Sequence, residues 1–151
     1  MREIKKIIIE VIPHAKQRYD TVGDYYFDVE GNLRIYVSKL KENKHEMLVA
    51  VHELTEVLQT ENNGVTEPAI ASFDIQFEKD RKPGNLDEPG DDPRAPYVKE
   101  HCIATAVERL MCALLGVNWQ DYEVDQANVA YLEEDTSTKD NPFDAGEIPA
   151  T

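Results

Sequence analysis

The stretch VAVHELTEVLQT (residues 49–60) decides how this chain is read. Met47, Val51, Leu54 and Leu58 recur across it at helical spacing. They run from a capping-box-like start, Asn43 with Glu46 three residues on, to a stop at Asn62-Asn63-Gly64. Four steps along a helix rotate by about 400°, so His52 and Glu56 leave the same face, within reach of one ion.

Upstream the period changes. Residues 4–12 are rich in isoleucine and predict a buried strand, stopped by Pro13. DYYFDV (24–29) and LRIYVS (33–38) flank Glu30-Gly31-Asn32, the layout of a β-hairpin with glycine at the tight turn. Downstream, Thr66 before Glu67-Pro68 predicts a short second helix carrying Ile70, Phe73 and Phe77.

Residues 78–96 hold four of the eight prolines and predict a long loop, extended rather than floppy and suited to act as a lid. After Pro96 the helical period returns: Ile103, Val107, Leu110, Met111 and Leu114 form an apolar face, and Gly116 supplies the stop. His101 sits in the first turns of that helix. EEDTSTKDNPFDAGEIPAT (133–151) has few large apolar residues and excess acid, which predicts a flexible acidic tail. The expected architecture is a single α+β domain over residues 1–132, a small N-terminal antiparallel sheet packed on three helices, followed by the tail.

Composition narrows the function. A chain of 151 residues buries a core without needing metal or disulfide as a staple. Its net charge of −14 repels polyphosphate chains, so nucleic acid is not an expected partner. The isoleucine run near the N-terminus is too short for a membrane span or a signal-peptide core, so the expectation is a cytoplasmic protein without a membrane partner. Cys102 and Cys112 fall about 15 Å apart along one helix, too far to bridge, and are expected as reduced thiols.

A metal site at His52 and Glu56 needs a third ligand from elsewhere in the fold, and His101 is the best candidate. Two histidines and one carboxylate are a known catalytic zinc set that leaves a fourth position for water. Glu53 is then placed to take a proton from that water. Glu108, seven residues beyond His101, is either a fourth ligand, the partner that fixes an imidazole, or half of an ion pair. His45 is expected at the pocket rim, about 10 Å along the axis from His52. Asp74 either faces the same cleft or is a solvated carboxylate, while Tyr97 and Trp119 are expected to pack. The plain alternatives are that HELTE is an ordinary polar helix face and His101 a surface or hydrogen-bonded residue; spacing alone does not choose.

A strand hairpin leading into a helix with His52-Glu53-Leu54-Thr55-Glu56 resembles the core of the zincin metallopeptidases, whose motif is HExxH. The resemblance covers roughly residues 25–60. It implies a zincin-like fold, a zinc cofactor, a peptide or protein substrate and Glu53 as general base. Glu56 stands where the family has its second histidine, and His101 would then replace the third-ligand glutamate of one large zincin branch. EPGDDPRAP (88–96) with PYVKEHCIATAVERL (96–110) also resembles small uncharacterised proteins of tailed bacteriophages, a likeness that implies no activity. Two other classes remain. AVHELTEVL is similar to the HD phosphohydrolase motif, and Glu53-x-x-Glu56 to the ExxE motif of nucleotide pyrophosphohydrolases. A non-catalytic phage protein that binds a host factor is the third reading.

Overall fold

The computed structural model of the chain describes residues 1–129. The tail expected from Glu133, and with it the boundary at residue 132, lie outside the described residues. The fold is α+β, and the described residues form three strands and four α-helices: β1 (Ile7–Ile12), β2 (Gly23–Phe27), β3 (Leu33–Ser38), α1 (Asn43–Asn63), α2 (Glu67–Asp80), α3 (Val98–Leu114) and α4 (Trp119–Asn128). The fourth helix was not foreseen.

The hairpin forms where expected, and its turn explains why. The Asp28 carboxylate accepts the backbone N–H groups of Glu30 and Asn32 and the Arg34 guanidinium, while Gly31 takes a left-handed φ of 83°. Burial works against the Asp28 charge, but these donors outweigh it and hold the carboxyl down at about 2.

The expected antiparallel sheet is mixed instead. Its strand order is β1-β3-β2, with β2 antiparallel to β3 and β1 parallel to it. Residues 13–22 carry the chain past β3, anchored by Gln17, whose side-chain amide donates to the Tyr36 carbonyl and the Ser38 hydroxyl. The strand at the N-terminus is also not buried: Ile7, Ile9 and Val11 are exposed and only Ile12 is covered. The reason is position, because α1 packs over β3 and β2 and leaves the β1 edge open.

Leu33, Ile35 and Val37 of β3 meet Leu48, Val49 and Val57 of α1 in the main core, which Ile70, Tyr97, Cys112 and Tyr122 complete. Each fully buried aliphatic side chain there is worth about 1.5–3 kcal/mol. The start of α1 departs from a reciprocal capping box. Asn43 is its first helical residue, and Glu46 reaches back to the Leu40 N–H, the Lys39 ammonium and the Asn43 amide.

The two long helices are rotated relative to their apolar stripes. On α1 the buried positions include His45, His52 and Glu56, while Met47 and Leu58 are exposed. On α3 the buried positions are Glu100, His101, Ala104, Glu108 and Cys112, while Ile103, Val107, Leu110 and Leu114 face water. Both helices turn a polar face inward and toward each other.

Candidate metal centre

That inward polar face assembles the centre. His52 and Glu56, one turn apart on α1, meet His101 from the second turn of α3, and all three are buried. His52 Nε2 lies 3.3 Å from Glu56 Oε2 and 3.2 Å from His101 Nδ1, and His101 Nδ1 lies 3.0 Å from the same Glu56 oxygen. The three atoms form a near-equilateral triangle and could hold a metal ion. Its sides are close to the edge of a tetrahedron with bonds near 2.0–2.1 Å, about 3.4 Å.

The far nitrogens of both rings face carboxylates, which determines where the protons sit. His52 Nδ1 donates to Glu108 Oε2 at 2.8 Å, and the other Glu108 oxygen accepts the Tyr122 hydroxyl. His101 Nε2 lies 3.2 Å from Glu88 and 3.6 Å from Asp91. With the outer nitrogens protonated, each neutral ring turns its lone pair to the centre of the triangle, the arrangement that orients metal-binding histidines. Burial opposes charge on the rings, yet the surrounding carboxylates push His52 well above the usual imidazole range and His101 up to about 10. Burial likewise opposes the Glu56 charge, and the two imidazoles beside it hold its carboxyl below the ordinary value. The centre favours positive charge.

Glu53 lies on α1 beside these groups and lines the cleft with them. It makes no hydrogen bond among the described residues. Burial, followed by the charge of Glu56, pushes its carboxyl well above the ordinary range. Room for it depends on β2: a Cβ at Gly23 would stand 2.3 Å from Glu53 Oε1. A Cβ at Gly90 would similarly stand 2.3 Å from the His101 ring. The proline-rich segment therefore packs its backbone on a ring of the centre and brings Glu88 to it, so it is part of the site's wall rather than only a lid.

Of the other sequence candidates, Glu108 is the partner that fixes an imidazole. Asp74 faces the cleft, not as a solvated group but buried, accepting the hydroxyls of Tyr97 at 2.5 Å and Tyr19 at 3.0 Å. Burial raises its carboxyl to about 7 against those two donors, helped by the charge of Glu56. Tyr97 packs as expected, edge-on to His101, and Trp119 packs on Tyr122. His45 is not at the rim. It is buried against the Tyr122 ring and joined through Nδ1 to Asp125 at 2.5 Å, so it fastens α4 to α1. Sequence reasoning missed Glu88, Asp91, Gly23 and Gly90. The trace of Glu88, Gly90 and Asp91 in the sequence was the compact EPGD turn (88–91) inside the loop; Gly23 left none.

Comparison with protein-family models, with curated proteins and with solved structures finds no match to this chain. The site alone carries the functional reading. The cleft has a volume of about 910 Å³ and twelve Asp or Glu residues against Arg18, Arg81 and Lys82 on its wall. Arg18 is taken up by Asp24 and Glu67, and Arg81 by Glu78. Among the described residues no single helix is long and apolar enough to cross a membrane.

Proposed function

We propose that this chain is a zinc-dependent hydrolase that cleaves a peptide or amide bond with an activated water. The observation that carries this reading is the convergence of His52 Nε2, His101 Nδ1 and Glu56 Oε2 on one buried point, with Glu53 unpartnered beside it. Two imidazoles and one carboxylate in a tetrahedral frame suit zinc, whereas magnesium takes octahedral, oxygen-rich surroundings. Zinc at that point would supply Lewis-acid polarisation of a carbonyl and a lowered pKa for a coordinated water.

The chain's own residues divide the remaining work. Glu108 and Glu88 hold the imidazoles in the required tautomers. Glu53, whose carboxyl is raised by burial and by Glu56, takes a proton from the attacking water and returns it to the leaving amine. The zincin resemblance is supported by the hairpin β2–β3 leading directly into α1 and by the contact of β2 at Gly23 with Glu53. A nucleotide phosphohydrolase fits less well, because phosphates would meet a carboxylate wall whose arginines are already paired.

The test measures zinc and hydrolysis separately. The purified protein should hold one zinc per chain, and His52→Ala, Glu56→Ala and His101→Ala should each lose it. Glu53→Gln should keep the zinc while cleavage of a peptide library falls at least about a hundredfold. Equal zinc loss in all four variants, or full activity in Glu53→Gln, would contradict the assigned roles. Nucleotide cleavage dependent on magnesium or manganese would favour the phosphohydrolase.

A further inference from the structure

The side of the α1–α3 pair that faces away from the sheet is apolar, while the chain as a whole carries a charge of −14. No acid on α3 is open to solvent, and its exposed charges are Lys99 and Arg109. On the same helix Ile103, Val107, Leu110 and Leu114 are 52%, 36%, 62% and 71% exposed. Their spacing of four, three and four residues is that of a coiled-coil seam, about 16 Å long. Met47 and Leu58 of α1 are 38% and 39% exposed, and their spacing of eleven residues puts them on one outward face of that helix.

From these fractions the six side chains expose on the order of 600 Å², at the upper end for a monomer's largest apolar patch. That is about three quarters of the ~800 Å² per partner of a standard stable interface.

We infer that this face is the interface of a homodimer in which the α1–α3 pairs of two copies pack against each other. The seam is self-complementary. Its spacing reads the same in both directions, so an antiparallel two-fold arrangement sets Ile103 opposite Leu114 and Val107 opposite Leu110. Charge selects the same face, since two strongly acidic chains repel elsewhere and meet here without opposing acids. Residues 133–151, with six acids and few large apolar side chains, are a poorer occupant. The rotation of both helices has the same consequence, because the polar faces are used at the centre and the apolar stripes are left for a partner.

The experiment is sedimentation velocity of the full chain at 1–100 µM (about two decades around common dimer affinities), with zinc content followed in parallel. The expected result is a species of twice 17.2 kDa. Leu110→Glu with Leu114→Glu should raise the dissociation constant at least about a hundredfold and leave zinc content unchanged. Ile103→Lys provides a second, independent variant. A full-length chain that stays monomeric at 100 µM overturns the inference. So does association that survives both variants. If only the chain lacking residues 133–151 dimerises, the tail is the occupant and the inference fails; binding of the monomer to phosphatidylcholine vesicles would assign the face to lipid instead.

Discussion

Glu108 accepts the Nδ1 proton of His52 at 2.8 Å across fifty-six residues of sequence, and this one bond fixes which nitrogen of His52 faces the centre. A carboxylate there accepts and never donates while ionised, so the Nε2 lone pair remains turned toward His101 and Glu56. The bond also places α3 on α1, because Glu108 and His101 share a helix face two turns apart.

Replacing Glu108 by Gln should therefore damage the centre without unfolding the chain. The amide N–H₂ can donate to Nδ1, which moves the ring proton to Nε2 and points it at the metal position. Zinc affinity is expected to fall about 10- to 100-fold, measured by competition with a chromophoric chelator. Tyr122→Phe removes only the second donor to Glu108 and should cost less. Affinity unchanged in Glu108→Gln would mean that the bond is incidental to the site.

The two tight glycines should separate binding from turnover. In Gly90→Ala the new methyl meets the His101 ring at 2.3 Å against a backbone wall, so the ring must move and zinc affinity should drop. In Gly23→Ala the methyl meets the end of Glu53, a longer and more adjustable side chain. Zinc should be retained there, with hydrolysis reduced as the carboxylate is displaced. Chelator competition and peptide cleavage on both variants check this pair; the opposite pattern would reverse the roles given to Glu53 and His101.

Asp74 predicts a pH dependence of stability whose sign follows from its raised carboxyl. Its ordinary value is 3.8 and burial lifts it to about 7 in the folded chain, so folding favours the protonated form. The associated cost is absent below about pH 4, grows as pH rises toward 7 and is complete above it, at roughly 4 kcal/mol. Asp74→Asn should remove that slope. Urea melts of both proteins, freed of metal and run from pH 4 to pH 8, should show the variant gaining on the parent as pH rises. Parallel curves would mean that the Tyr19 and Tyr97 hydroxyls keep the carboxylate charged.

Local rules in the sequence determined most of the elements, though not α4, and half of the centre. The turn Asp28 to Asn32, the two strands that flank it, the helical period of residues 43–63 and the placing of His52 and Glu56 on one face depend on neighbours within a few positions. Tertiary structure decided the rest. It set β1 parallel at an open edge, fixed which face of α1 and α3 turns inward, brought His101 to within 3.2 Å of His52, and brought Glu88 and Gly90 against the second ring. Periodicity alone would turn Ile103, Val107, Leu110 and Leu114 inward, because it counts only apolar burial. In the folded chain the hydrogen bonds and charge pairing among His52, Glu56, His101 and Glu108 outweigh that preference, and no local pattern expresses an interaction between groups so far apart in sequence.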